Sequence, residues 1–353
     1  MSKKEIWMQR ALDLALLGQG QVAPNPLVGC VIVKDNRVIG EGWHQRYGGS
    51  HAEVNAVNSV SNTDDLENSE VYVTLEPCSH FGKTPPCADL LITHKVGKVY
   101  ICNVDPNPLV AGKGIEKLKN AGIDVQSGIL REKGTIINQK FFTFHKVKRP
   151  FITLKFACSA DGYIAKKNGD AVQFSNSVSQ QLVHKLRAEH QAILIGVNTA
   201  NNDNPSLSTR DWPGKNPLRI ILDPNNKLKQ DLTLLKDENP TWIFNKTLQK
   251  ESFGKFWWKI SAENSTEFLQ EVLNFCTEKN IQSILVEGGS QTLQNFIESN
   301  LFDELIQITN NEIELQEGIK APQINLRFQT NKTFGTNNTW QIWNRLKESE
   351  NLS

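Results

Sequence analysis

At 353 residues, with 39% hydrophobic and 22% charged side chains, the chain has ordinary soluble globular composition and enough length for two domains. A formal net charge of +1 argues against a broad nucleic-acid-binding face, and no apolar run approaches the roughly 18 residues a membrane helix needs. Met1-Ser2-Lys3-Lys4-Glu5-Ile6-Trp7 has no apolar signal-peptide core behind its lysines, so the expected setting is the cytoplasm.

Helically spaced apolar side chains over 3–17, ended by Gly18 and Gly20, predict a first helix. Residues 28–33 are an apolar run of strand length, Lys34-Asp35-Asn36-Arg37 reads as a turn, and 38–43 reads as the partner strand. A helix opening near His51 follows, then a strand over 71–75 running into Pro77-Cys78. Next come a helix over 88–94, a strand over 98–104, a helix over 115–121 and a short strand near 123–125. The basic stretch from His145 through Pro150 reads as a charged linker, which sets expected domains of 1–146 and 150–353. Beyond it the pattern predicts a strand over 151–156, a helix over 179–188, and strands over 192–196, 218–223, 241–245 and 283–286. The last of these feeds Glu287-Gly288-Gly289-Ser290 and a helix from Gln291. Strands alternating with helices imply a largely parallel sheet covered on both faces, with ligands beyond the strand carboxyl ends. Past Gln316 the chain is polar and weakly patterned, and no element is assigned there.

Four of the six cysteines, Cys30, Cys102, Cys158 and Cys276, lie in or beside apolar segments and read as buried small hydrophobes. Cys78 and Cys87 have polar, loop-like surroundings that suit a metal. With His51 they make three ligands, the number a catalytic zinc takes while keeping one position open. Glu53, two residues beyond His51, points differently from it at a helix start and is left free to move protons. Histidine-x-glutamate followed by proline-cysteine and a second cysteine is the pattern of zinc-dependent nucleobase deaminases. Zinc lowers the pKa of coordinated water from about 15.7 to about 7, which gives a nucleophile at neutral pH. Cys78, after a proline at an expected helix N-terminus, is set up to be a thiolate. A closed structural site with His44 or His80 as fourth ligand is the alternative. Eight residues separate the two cysteines, where two are usual for such deaminases.

These residues make the chain resemble the bifunctional riboflavin-biosynthesis deaminase/reductases of the RibD type. The match runs through Ala23-Pro24-Asn25-Pro26-Leu27-Val28-Gly29-Cys30, His51-Ala52-Glu53, the stretch from Leu75 to Cys87 with its long insert, and Asp105-Pro106-Asn107-Pro108. It continues in Leu154-Lys155-Phe156-Ala157, Ser159-Ala160-Asp161-Gly162, Leu186-Arg187-Ala188, Gly196-Val197-Asn198-Thr199, Asp203-Asn204-Pro205-Ser206-Leu207 with Arg210, and Val286-Glu287-Gly288-Gly289. The resemblance implies a cytidine-deaminase-like α/β/α domain followed by a dihydrofolate-reductase-like α/β domain. It implies deamination of a diaminopyrimidinone ribosyl phosphate, then reduction of the ribose to ribitol.

By the same resemblance, Glu53 is catalytic and His51, Cys78 and Cys87 hold one zinc per chain. Asn25, His44, His80, Lys83, Asp105 and Asn107 line the deaminase pocket, with Lys83 facing the phosphate. Ala157, Thr199, Asp203 and the run Gly289, Ser290, Gln291, Thr292, Leu293, Gln294, Asn295 touch NADPH. Arg187, Leu207, Arg210 and Glu287 hold the sugar phosphate, the arginines offering bidentate forks. The implied partner is a small pyrimidine ribosyl phosphate, with no nucleic acid and no membrane, and the enzyme is expected to be a homo-oligomer.

Three positions depart from the family pattern. Gln173-Phe174-Ser175 stands where tryptophan-isoleucine-threonine or serine is common, Gln180 where an arginine is usual, and Gln191 where an aspartate precedes Ala192. Loss of the tryptophan removes a flat packing surface. These departures motivate a second expectation, an active deaminase whose C-terminal domain only binds or assembles. A zinc-stabilised nucleic-acid-binding protein fits neither the near-neutral charge nor Glu53.

Overall fold

The structure is a computed structural model that describes residues 1–79, 85–107, 111–170, 172–326 and 330–345. The chain divides into two compact units, Met1–Lys148 and Arg149–Ser353.

The first unit runs α1 (Lys3–Leu16), β1 (Gly29–Lys34), β2 (Arg37–Trp43), α2 (Ala52–Asn58), β3 (Glu70–Leu75), α3 (Cys87–Thr93), β4 (Lys98–Asn103), α4 (Lys113–Asn120), β5 (Asp124–Ser127), α5 (Arg131–Ile137) and α6 (Gln139–Val147). The Ser2 hydroxyl and the Glu5 carboxylate cap α1 reciprocally. Asp35 and Asn36, with φ of 48° and 61°, close a two-residue β1–β2 turn of the kind that suits strand twist. The sheet order is β2-β1-β3-β4-β5. Only β3–β4 and β4–β5 are parallel, since the hairpin sets β2 antiparallel to β1 and β1 also pairs antiparallel with β3. The expected largely parallel sheet is therefore mixed in this unit, because a tight turn leaves two strands no room for a parallel crossover.

Strand alternation divides the core. Cys30, Ile32, Val71, Val73, Val99 and Ile101 pack under α2, α3 and α4, while Val31, Val33, Tyr72, Tyr100 and Cys102 pack under α1. Burial on both faces makes this a three-layer α/β/α unit.

The basic stretch predicted as a linker is mostly helix. His145, Lys146 and Val147 form the last turn of α6, which Lys148 ends at φ 60°. Arg149 is nearly buried and grips Asp303 through two bonds of 2.6 and 2.8 Å, so it is not a solvated charge.

The second unit runs β6 (Phe151–Cys158), β7 (Tyr163–Ala165), α7 (Ser177–Ala188), β8 (Ala192–Gly196), α8 (Val197–Asp203), β9 (Leu218–Leu222), α9 (Thr233–Lys236), β10 (Thr241–Asn245), β11 (Lys250–Ser252), β12 (Lys255–Lys259), α10 (Ser265–Glu278), β13 (Ser283–Val286), α11 (Ser290–Glu298), β14 (Glu304–Asn310), β15 (Ile319–Lys320), β16 (Thr330–Phe334) and β17 (Asn338–Asn344). One sheet has the order β11-β12-β10-β9-β8-β13-β6-β14-β17-β16. It is parallel from β12 through β14, as the alternation predicted, and antiparallel at its ends. The polar tail left unassigned supplies β17, which pairs with all of β14 and buries Trp340 and Trp343. No helix among the described residues is long and apolar enough to cross a membrane.

Candidate active sites

In the first unit, α2 lies directly on β2 because the strand carries glycine: a Cβ on Gly42 meets the Ala56 nitrogen at 2.3 Å. That approach carries the start of α2 to the sheet's edge. His51 is the N-cap of α2, and Glu53 lies in its first turn, buried. Cys78 follows β3 in a loop, and Cys87 is the first residue of α3 and buried, so its surroundings are not loop-like as expected. Cys78 itself is outside the helix, yet it still benefits from that terminus. The Cys87 backbone N–H donates to Cys78 Sγ at 3.3 Å.

His51 Nδ1 is 3.6 Å from Cys78 Sγ and 3.3 Å from Cys87 Sγ, and the three candidate ligand atoms lie within 4.8 Å of one another. Tetrahedral zinc with its usual bond lengths sets nitrogen and sulfur about 3.6 Å apart. The donor set and its spacing fit the ion. The Cys87 thiol shares its proton with Cys78, which holds Cys78 down at about 4 and pushes Cys87 well up. Burial, reinforced by the Cys78 charge, pushes the Glu53 carboxyl up to about 7.

His44 is buried, with Nδ1 2.9 Å from the Ser50 carbonyl and Nε2 3.1 Å from Asn25 Nδ2. A carbonyl only accepts, so Nδ1 carries the proton and Nε2 accepts from the Asn25 amide. Both nitrogens are engaged, which removes His44 as a fourth metal ligand, and the Asn25 amide oxygen remains an acceptor. Asp105 accepts from the Asn107 N–H at 2.8 Å, shaping the loop after β4. His80 and Lys83 lie outside the described residues.

Glu76 carries no role in the sequence reading, yet its buried carboxylate organises this end of the unit. It accepts from the N–H groups of Asp105, Gly112, Gly114 and Ile115 at 3.3, 3.0, 2.9 and 3.2 Å. One side chain thus caps α4 and fixes the Asp105 loop. Gly114 is required, since a Cβ added there would lie 2.0 Å from the Pro77 carbonyl oxygen. Asn138 holds Leu27 through both backbone groups at 2.8 Å. The only signal for Glu76 was its place beside Pro77-Cys78. For Asn138, 111 residues from its partner, there was none.

In the second unit a cleft of about 920 Å³ opens at the carboxyl ends of the parallel strands. It gathers Ala157, Thr199, Asp203, Glu287, Gly289, Ser290, Gln291, Thr292, Gln294 and Asn295 from the predicted set. Leu293 and Leu207 are instead core side chains, 0% and 3% exposed, because α11 turns one stripe inward and Leu207 sits among Ile193, Ile221 and Ile243. Only their backbone atoms are left to face a ligand. Arg187 does not offer a free fork: Nε and Nη2 each bond Glu287 at 2.8 Å, and Nη1 donates to the Ser208 carbonyl at 3.1 Å. Arg210 is solvent-facing, 3.5 Å from Asp211, and is not part of the cleft lining. The Gly289 N–H donates to Thr199 Oγ1 at 2.9 Å, which leaves the Ser290 end of α11 for an anion.

Lys155 has no role in the sequence pattern, although a lone lysine in the apolar strand Phe-Ile-Thr-Leu-Lys-Phe-Ala-Cys is itself a signal. It lines the cleft 3.7 Å from Glu287. Burial alone raises the Glu287 pKa, but the Arg187 and Lys155 charges win and hold the carboxyl at about 2.

The comparisons with known proteins cover both units. Residues 1–103 match the cytidine and deoxycytidylate deaminase zinc-binding region, and residues 150–310 match the RibD C-terminal domain. The chain is 40% identical over 309 residues to the riboflavin biosynthesis protein RibD of Bacillus amyloliquefaciens, covering 86% of this chain and 83% of that protein. It is 38% identical over 325 residues to the RibD of Aquifex aeolicus, covering 91% and 90%. A Thermotoga maritima diaminohydroxyphosphoribosylaminopyrimidine deaminase/5-amino-6-(5-phosphoribosylamino)uracil reductase superposes with a TM-score of 0.87. It is 34% identical, over 96% of this chain and 98% of that one.

The chain belongs to the RibD family.

It is therefore a bifunctional deaminase and reductase of riboflavin biosynthesis, with a zinc-binding deaminase domain and a RibD-type reductase domain. Its departures from the family pattern have local structural roles. Gln173 and Gln180 both donate to the Ser175 carbonyl, at 2.8 and 3.0 Å, and so clamp one short segment together. Phe174, from that segment, is 3% exposed and lines the cleft, supplying an aromatic wall where the tryptophan is missing. Gln191 accepts from the Gln282 N–H at 2.7 Å before β8 begins, at the opposite end of the strand from the cleft.

Proposed function

We propose that residues 1–146 hydrolytically deaminate 2,5-diamino-6-ribosylamino-4(3H)-pyrimidinone 5′-phosphate, and that residues 150–353 then reduce its ribosyl group to ribityl with NADPH. The observation that carries the reading is the convergence of His51 Nδ1, Cys78 Sγ and Cys87 Sγ, with a buried glutamate beside them that is outside the trio. Those three residues would hold zinc, which would supply the Lewis acidity that makes water nucleophilic at neutral pH. Glu53 takes a proton from the attacking water and delivers one to the departing amine, so that ammonia leaves and a carbonyl remains. Asn25, fixed by His44, accepts from the base edge. Asp105, held by Glu76, and Asn107, bonded to Asp105, close the pocket, to which the resemblance also assigns His80 and Lys83.

In the reductase, the cleft would hold the dinucleotide, and the α11 N-terminus offers backbone N–H groups suited to its pyrophosphate. Ala157, Thr199, Asp203 and the run 289–295 border it, the last partly through backbone. The bound dinucleotide would supply hydride to C1 of the ring-opened sugar imine, whose nitrogen would take a proton. Lys155 and Glu287 are the charged pair at that point. Arg187 fixes Glu287, Arg210 faces the phosphate from outside the cleft, and the Leu207 backbone borders the sugar. The enzyme is taken to be a cytoplasmic homo-oligomer with one zinc per chain.

The mass of the product formed by zinc-loaded protein with this substrate and NADPH tests the reading. A deaminated ribitol product supports both steps. A deaminated product that still carries ribose removes the reductase step, and unchanged substrate removes the zinc reading as well.

A further inference from the structure

The cleft of the second unit reaches well beyond the groups that face the sugar. Its lining extends from Lys155 on β6 and Glu287 after β13 to Asn225 after β9, Lys246 after β10, and Ser265 at the start of α10. In the order β10-β9-β8-β13-β6, the Lys246 end is three to four strand spacings from the Glu287–Lys155 end. That is about 14–19 Å at ~4.8 Å per strand, the span of an extended dinucleotide. With the nicotinamide beside Glu287 and Lys155, the adenosine half falls at the ends of β9 and β10.

That end is built rigidly. Asp223, buried at the end of β9, accepts from the Lys227 and Leu228 N–H groups at 2.7 and 3.0 Å. Asn245, fully buried at the end of β10, accepts from the Thr247 N–H at 2.9 Å and donates to the Leu248 carbonyl at 2.9 Å. The two loops are tied together by the Lys246 N–H, which donates to the Pro224 carbonyl at 3.3 Å. Lys246 is half-buried, and its ammonium has no ion-pair or hydrogen-bond partner among the described residues. A cation on a pinned loop, lining a cleft and left unpaired, is poised for an anion that the protein does not supply.

We propose that Lys246 reads the adenosine 2′-phosphate and thereby makes the cleft selective for NADPH over NADH, an inference that rests on the reductase reading above. The α10 N-terminus adds a favourable potential at the same end through Ser265. Glu263 is the opposing group. It lines this end too, and an acid beside the adenosine ribose is the usual device for NADH, just as a cation is for the 2′-phosphate. The position of Lys246 in the β10 loop, whose backbone is tied to the β9 loop, and its ammonium, unpaired among the described residues, decide for the phosphate.

The test titrates NADPH and NADH into the zinc-loaded full chain, following dinucleotide fluorescence, for wild type, Lys246→Gln, Lys246→Arg and Glu263→Gln. The expected wild type binds NADPH more tightly. Lys246→Gln weakens NADPH by about ten- to hundredfold with NADH unchanged within about twofold, the scale of one charge-assisted contact. Lys246→Arg keeps the preference, and Glu263→Gln strengthens it. Equal loss of both dinucleotides in Lys246→Gln, or no loss of either, overturns the assignment. So does a wild type that prefers NADH and loses it in Glu263→Gln. If Lys246→Gln fails to fold, the wild-type ratio and Glu263→Gln still decide. A wild type that binds both dinucleotides equally overturns this inference alone, whereas one that binds neither overturns the reductase reading beneath it.

Discussion

Replacing Glu287 by glutamine tests the electrostatics at the floor of the reductase cleft. The carboxylate is 8% exposed, bonded twice to Arg187 and lying near Lys155, so the amide leaves two nearly buried cations facing no charge. Two routes give the cost. The Glu287 carboxyl is held at about 2, against an ordinary 4.5, which at 1.36 kcal/mol per unit is on the order of 3 kcal/mol. Removing one partner of a buried ion pair costs about 3–5 kcal/mol. In a unit of this size each kcal/mol moves the melting temperature by about 2–4 °C, so the variant melts roughly 6–12 °C lower at neutral pH.

Six of the eight tryptophans lie in Arg149–Ser353, so tryptophan fluorescence during thermal unfolding reports mainly on the affected unit. The pH dependence has a fixed sign. A carboxyl with a lowered folded-state pKa stabilises fully above its unfolded value of 4.5, and that contribution is lost as pH falls toward about 2. Wild-type and variant stabilities therefore converge in acid. A variant melting within about 2 °C of wild type at neutral pH would falsify the argument, because Arg187 and Lys155 must then recover solvent or another partner at no cost.

Glu53→Gln lowers deamination by about 10²–10⁴-fold while zinc content, measured by mass spectrometry, stays at wild-type level; loss of metal makes Glu53 a ligand instead. Removing zinc with a chelator abolishes deamination, and Cys87→Ser loses zinc on dialysis. Full retention in that variant puts another residue in the coordination sphere. Arg210→Ala raises the KM of the reductase for its phosphorylated substrate and leaves that for NADPH unchanged; equal KM values in variant and wild type send the phosphate elsewhere. Glu76→Gln weakens the anchor of four backbone N–H groups and raises the deaminase KM more than it lowers kcat, because Glu76 positions the Asp105 loop without touching the reaction. A purely catalytic loss rules out that positioning role.

How much of this molecule could be read from its residues follows the range of the forces involved. The helix of α1, the β1–β2 turn and the strands β8, β10 and β13 depend on local periodicity and turn chemistry, and they were legible. So was the candidate metal trio, because a histidine followed by two cysteines, with a glutamate two residues after the histidine, carries its chemistry in its side chains. The antiparallel pairing of β1 with β3 was not legible, since strand direction is settled between segments rather than within one. Nor was β17, whose polar strand becomes stable only when Trp340 and Trp343 find a core.

What residue types could not express was the state of each polar group. Arg187 looks like a phosphate fork until its partner Glu287, 100 residues away, occupies it. Leu207 and Leu293 look like site residues until packing turns them inward. Glu76 and Asn138 look ordinary until backbone N–H groups from distant segments meet them, and Asp223 and Asn245 until the loops that follow them fold back. The sequence by itself determined the chemistry available: a candidate zinc donor set, an acid two residues from its histidine, and ligand binding at strand carboxyl ends. Tertiary structure alone decided which charges are already satisfied within the protein and which, like Lys246, are left for a ligand. A hydrogen bond or ion pair is a property of two positions in space, and chain order specifies only one of them at a time.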